Sequence, residues 1–164
     1  AIRMLTSEDI INVRDGVGNF VKVLSVKDIK DIFEVRKTLE IMAVKNSIYK
    51  IPLGEISKLE NKLNSLLERC ENGSLIKEKF ADMDMEIHKL IFDYCDNKYV
   101  KNIFDGMKLR IKQYQFISYE NLNDSKESII QHIEILKLLK EKDLENLIRM
   151  LEDHIDWSLK SLLT

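Results

Sequence analysis

A single proline and five glycines in 164 residues leave this chain few places to turn sharply. That scarcity favours long helices over many short strands. Cysteine is scarce too. Cys70 and Cys95 lie far apart and form no Cys-x-x-Cys, so they read as reduced, semi-buried thiols of a cytoplasmic protein. No apolar run approaches the ~20 residues of a membrane span, and no signal peptide opens the chain. An excess of one charge is also missing. The formal net charge is −2, with acids and bases interleaved, which argues against a stand-alone nucleic-acid binder with its basic patch. What the chain does have is 45% apolar and 33% charged residues, enough for a sizeable core under a solvated surface. The length fits one ordinary domain with at most a small appendage.

Residues 1–24 differ from the rest. Ala1 to Ser7 reads as the end of a helix, with no initiator methionine before it, so the chain reads as a fragment of a longer protein. Ile11-Asn12-Val13 and Phe20-Val21-Lys22-Val23 flank Arg14-Asp15-Gly16-Val17-Gly18-Asn19, which predicts a β-hairpin. Two strands cannot make a core alone. From Ser25 onward the pattern is helical. Ser25-Val26-Lys27-Asp28 resembles a capping box, with Asp in the place usual for Glu. Ile29, Ile32, Phe33, Val35, Leu39, Met42 and Ala43 then follow near a helical period. Pro52 marks a break, and Asn72-Gly73 ends a second helix of roughly 53–71. Further helices are expected over roughly 75–95, 97–119, 126–141 and from Asp143 to the end. Asn123-Asp124-Ser125 reads as a loop and N-cap cluster. Short loops between long helices imply antiparallel neighbours. The predicted fold is therefore all-α: an antiparallel bundle of about six helices preceded by a short β-hairpin.

The chain has three histidines, His88, His132 and His154, each on a different predicted helix. Asp84 precedes His88 by four residues, so the two share a helix face. Phe80, Met83, Ile87, Leu90 and Ile91 make that helix's apolar stripe, and Asp84 and His88 lie beside or within it. His132 adjoins Ile129, Ile133, Leu136 and Leu139, and His154 lies at the edge of the stripe Leu147, Ile148, Leu151, Ile155 and Leu159. A buried carboxylate needs a partner or a metal. Three neutral imidazoles and one carboxylate suit Zn²⁺, and also Ni²⁺, Mn²⁺ or Fe²⁺. Spacing alone leaves a second reading open, in which three unrelated histidines sit at helix surfaces or core edges. Other metal chemistries are excluded on the sequence. Met85, Ile129 and Leu151 stand three before the histidines, so the Glu-x-x-His of di-iron bundles is missing. There is no His-Glu-x-x-His, and Gly16-Val17-Gly18 opens no helix that would cradle phosphate.

Several motifs, in order along the chain, carry a resemblance to a known family. Glu34-Val35-Arg36-Lys37-Thr38-Leu39-Glu40 is similar to a first-helix Glu-x-Arg-x-x-Leu-Glu. Asp84-Met85-Glu86-Ile87-His88 is similar to Asp-x-x-Phe-His, and Cys95-Asp96-Asn97 to Ser-Gly-Asn. Gln131-His132 with Ile135-Leu136 resembles Glu-His-x-x-Ile-Leu, and Asp143 with the later His154 resembles Asp-x-x-x-Ala…His. Together they resemble the all-helical C-terminal effector (FCD) domain of the FadR subfamily of GntR transcription regulators. Ala1-Ile2-Arg3-Met4-Leu5 resembles the end of that family's recognition helix. Arg14-Asp15-Gly16-Val17-Gly18-Asn19-Phe20-Val21 resembles the wing of its winged helix-turn-helix.

The resemblance implies two parts: residues 1–24 as a remnant of the DNA-binding domain, and residues 25–164 as a ligand-sensing and dimerising domain. It implies that Asp84, His88, His132 and His154 bind one divalent metal. It also implies that the metal's open positions, together with a cavity arginine, take the carboxylate of a small metabolite. Arg36 matches the motif for that arginine, and Arg110 is the second choice. Arg36 has a plainer alternative, a salt bridge to Glu40 one turn on or to another helix. The implied partners are a small carboxylic acid, a second copy of the chain and operator DNA, with no membrane. No catalytic residue is implied; the rival reading is a metalloenzyme whose three-His, one-Asp site activates water. Gln131, Ile87, Cys95, Asp96 and Leu147 depart from the family pattern, and none of them is an expected metal ligand.

Overall fold

The computed structural model describes residues 2, 6, 11–21, 25–74, 77–118 and 122–163. The helix end expected over residues 1–7, and the last two residues of the second expected strand, fall mostly outside them. Strands β1 (Ile11–Arg14) and β2 (Gly18–Val21) pair antiparallel, Ile11 opposite Val21 and Arg14 opposite Gly18. Gly16 supplies the left-handed turn residue at φ 73°.

Six helices follow among the described residues: α1 (Val26–Ser47), α2 (Leu53–Glu71), α3 (Lys77–Asp93), α4 (Lys98–Ser118), α5 (Leu122–Glu141) and α6 (Leu144–Leu163). The expected all-α bundle behind a hairpin is the observed fold. Local chemistry sets most of the boundaries. Ser25 and Asp28 form the reciprocal capping box of α1. Gly73 closes α2 at φ 72°, with the Ser74 N–H donating to the Arg69 carbonyl at 2.8 Å. Asn97 accepts from the Tyr99 and Val100 amides to start α4, and Asp143 accepts from the Asn146 amide to start α6.

One expectation is corrected. Asn123, Asp124 and Ser125 belong to α5, which begins at Leu122. Ser125 and Ser128 are buried against the bundle, and that tertiary burial overrides the capping preference of such residues. Val35 and Met42, seven residues apart on α1, are exposed and do not belong to its buried face.

Ion pairs report the helix directions. Lys126 meets Glu71 and Lys140 meets Glu60, so α2 and α5 run antiparallel. Lys101 meets Asp93 and Lys112 meets Asp82, which sets α4 antiparallel to α3. Short loops make α3–α4 and α5–α6 neighbours, as expected. The α1–α2 link behaves differently: α1 packs chiefly on α6, and α2 chiefly on α5. The cause lies in the link itself. Ile48 and Ile51 are buried in the core, and Lys142, at the α5–α6 junction, donates from Nζ to both their carbonyls at 2.7 and 3.1 Å. The start of α2 is therefore pinned at the far end of α5.

These packings close a ring. α1 touches α3, α3 touches α5, α5 touches α6, and α6 returns to α1. α2 lies outside this ring on α5, and α4 lies outside it on α3, α1 and α6. The ring's interior is where the polar residues of the core collect.

Candidate metal centre

Each helix of the ring contributes to the centre from its buried face. α1 supplies Arg36 and Glu40, α3 Asp84 and His88, α5 Ser128 and His132, and α6 His154. Three of these pairs are four residues apart, the spacing that stacks two side chains on one helix face. All seven residues are 0% exposed. The three imidazoles face one another, with ring centroids 4.3 to 5.3 Å apart. One ligating atom each from Asp84, His88, His132 and His154 lies within 4.8 Å of the others. Two ligands of one zinc ion stand at most about 4 Å apart, so the set is close to closed around a common point.

Hydrogen bonds aim the rings. His88 Nδ1 lies 2.6 Å from Glu40 Oε2. A carboxylate only accepts, so His88 carries its proton on Nδ1 and turns the Nε2 lone pair inward. His154 Nδ1 lies 2.8 Å from Gln131 Oε1, while the Gln131 amide nitrogen donates to Glu127. That second bond fixes the amide's orientation, so His154 also donates through Nδ1 and points its Nε2 lone pair inward. His154 Nε2 is buried with no hydrogen-bond partner. His132 Nε2 stands 3.2 Å from His88 Nε2 and 3.3 Å from Asp84 Oδ1. Ser128 Oγ is 3.4 Å from both Asp84 Oδ1 and His132 Nδ1. When the Ser128 proton goes to Asp84, its oxygen accepts from His132 Nδ1–H, and the third Nε2 is freed as well.

The electrostatics favour neutral rings at His132 and His154. Burial lowers the His132 pKa from 6.5 to about 4, against the opposing pull of Asp84. Burial, with His132 and His88 nearby, also holds His154 well below its ordinary value. Burial works to raise the Glu40 carboxyl, but His88 and Arg36 outweigh it and bring it down to about 2. Glu40 is thus a carboxylate, with Arg36 Nε donating to its other oxygen at 2.7 Å.

A metal fits this donor set. Neutral imidazoles held through Nδ1 by carboxylate and amide acceptors are the usual ligand arrangement for a bound cation. An unpartnered buried acceptor such as His154 Nε2 costs roughly 1–3 kcal/mol, which a coordinated cation would offset. The chain can therefore hold a metal in a buried cluster of one aspartate and three histidines.

The expected residues sort as follows. Asp84, His88, His132 and His154 are brought together. Arg36 is fully buried and linked to His88 through Glu40, so the plainer expectation of a bridge to Glu40 is met. Arg110 is half-buried on α4, outside the ring. Trp157 packs beside His154, ring centroids 6.3 Å apart. Sequence reasoning misses Glu40 as a partner of His88, and misses Ser128; their four-residue spacing from Arg36 and His132 was the available signal. The surface cleft between α2 and α3, about 410 Å³ and lined by Lys62, Leu66, Arg69 and Met83 among others, shares no residue with the cluster.

A helical ring around a buried Asp-His₃ cluster, preceded by a β-hairpin, defines the class: a small helical domain built around a metal-competent core. Residues 31–156 match the family model of the FCD domain, and the chain belongs to that family. It is 24% identical over 145 residues to the uncharacterized HTH-type transcriptional regulator YdhC of Bacillus subtilis, an overlap of 88% of this chain. The chain spans only 64% of the length of YdhC. Its fold is similar to that of Escherichia coli McbR/YncC, with a TM-score of 0.84 and 20% identity over 99% of this chain and 76% of that one. It is also similar to the metal-free FCD domain of TM0439, with a TM-score of 0.74 and 20% identity over 86% of this chain and 95% of that one. At such identities the structural likeness is one of fold. Among the described residues no helix is long and apolar enough to cross a membrane.

Proposed function

We propose that this FCD domain is the metal-dependent effector sensor of a GntR-type transcription regulator, acting in the cytoplasm. The observation that supports it most is the convergence of three aimed imidazoles and Asp84 in one buried cluster. In this reading Asp84, His88, His132 and His154 hold one divalent ion. Zn²⁺ suits three nitrogens and a carboxylate best, and Ni²⁺, Mn²⁺ and Fe²⁺ also suit them. The ion polarises and holds an acid. It performs no turnover, in keeping with a YdhC relative named as a regulator. The effector is a small carboxylate that completes the coordination and pairs with a cavity arginine. Arg36 is that arginine, because Glu40 already ties it to His88; Arg110 is the second candidate.

Residues 1–24 are then the wing and recognition-helix end of a winged helix-turn-helix, and residues 25–164 the sensing unit. The hairpin with its Asp15-Gly16 turn supports the wing. The domain works as a homodimer; the exposed Val35 and Met42 on α1 give an outer apolar face for a second copy. Because the cluster is sealed, a ligand must part helices of the ring to reach it. Occupancy therefore biases helix positions, and through them how the two DNA-binding domains fit the operator half-sites.

A thermal-shift screen of small carboxylic acids tests the switch. Zn²⁺ should raise the melting temperature, and at least one acid should raise it further. The acid's increment should vanish in chelator and in the double variant Arg36→Met with Glu40→Gln, which removes the arginine without stranding its carboxylate partner. An acid response that is the same with chelator as with zinc would contradict metal-dependent sensing.

A further inference from the structure

We infer that Glu40 is a positioning residue that sets the tautomer of His88, and thereby the affinity of the centre for its metal. The inference rests on the metal reading above for its consequence, and its geometry stands alone. Glu40 is fully buried on α1, a different helix from any of the four candidate ligands. Its Oε2 takes the His88 Nδ1 proton at 2.6 Å, and its Oε1 takes the Arg36 Nε proton at 2.7 Å. Both side chains are sealed from bulk solvent, and the shortest hydrogen bond open to a neutral His88 runs from Nδ1 to the Glu40 carboxylate, well inside the 3.2 Å that separates its Nε2 from the His132 ring nitrogen. The Nε2 lone pair is then obliged to face Asp84, 3.9 Å away, and His132, 3.2 Å away. Loss of the acceptor lets the proton move to Nε2, where it blocks coordination.

Arg36 has a matching task. It balances the Glu40 charge, so the carboxylate persists in the core and stays turned toward His88. Sequence order hides this link, because 48 residues separate Glu40 from His88. It also joins the expected effector arginine to a metal ligand through one shared carboxylate. A ligand that draws on Arg36 therefore acts on the Glu40–His88 bond as well.

The test compares two double variants that each remove the buried charge pair. Arg36→Met with Glu40→Gln leaves a carbonyl to accept from His88 Nδ1–H. Arg36→Met with Glu40→Leu leaves none. Both keep the approximate volume and remove Arg36 and Glu40 together, so neither is left without the other, and both should fold. Zn²⁺ affinity is measured by chelator competition, and the His88 tautomer of the metal-free proteins by nitrogen-15 NMR. The double variant with Glu40→Leu is expected to bind zinc about 10- to 100-fold more weakly than the one with Glu40→Gln, the usual cost of losing such an outer partner. Metal-free wild type and the glutamine variant should show Nδ1–H, and the leucine variant a shift toward Nε2–H. Equal zinc affinities, or an unchanged His88 tautomer, in two folded variants would overturn the inference. A wild type that shows the Nδ1–H tautomer yet binds no zinc would instead overturn the metal reading and leave the positioning role standing.

Discussion

Burial keeps the His132 ring neutral. Its pKa of about 4, against an ordinary 6.5, means the unfolded chain takes up a proton that the native one refuses. The sign follows from that difference. The stabilising contribution is fully present above pH 6.5 and is lost as pH falls toward about 4. Glu40 acts in the same direction at lower pH: its contribution is present above its ordinary 4.5 and fades toward about 2. The metal-free protein in chelator should therefore lose melting temperature as pH drops from 6.5 to 4. His132→Gln, which has nothing to titrate there, should show a shallower fall. Parallel curves for the two proteins would contradict a buried, neutral His132.

At the scale of elements, the α5–α6 junction decides how α2 is routed. Lys142 sits in the left-handed region at φ 59°, unusual for a lysine, and its ammonium group holds the carbonyls of Ile48 and Ile51. Lys142→Ala removes those charge-assisted bonds and keeps the backbone strain, so it should cost about 2 kcal/mol in a denaturant titration. Lys142→Gly loses the same bonds but relieves roughly 1 kcal/mol of left-handed strain, so it should cost less. Equal stability of the alanine variant and wild type would show that the link is held by other contacts. None of this was legible in the sequence, since a lysine after a helix is an ordinary cap. Asp84 and His88 were legible, because a four-residue spacing beside an apolar stripe predicts one inward face. So were Ser25, Gly73 and Asp143, whose capping chemistry is local. Val35 and Met42 matched the helical period of α1 yet face outward, because periodicity cannot tell a buried stripe from an exposed one. Asn123 to Ser125 carried the chemistry of a cap, but the helix begins at Leu122 and buries Ser125 and Ser128. Glu40 and Gln131 acquire their meaning only when α1 meets α3 and α5 meets α6.

The whole molecule is a ring of four helices closed around polar chemistry, braced outside by α2 and α4. A conventional core would fill that space with apolar side chains. This one places an aspartate, a glutamate, an arginine and three histidines there, at a cost that only mutual pairing or a ligand offsets. Because every ring helix owns part of the cluster, whatever occupies it bears on the spacing of all four. Such coupling suits a sensor that is read by a separate DNA-binding part. It depends first on the cluster holding an ion, and metal content tests that most directly. Protein purified without chelator, and apoprotein titrated with Zn²⁺, should each carry one ion per chain. His132→Ala should abolish that stoichiometry while circular dichroism still reports a helical fold. A folded wild type that takes up no divalent metal, or an unchanged stoichiometry in His132→Ala, would contradict the account.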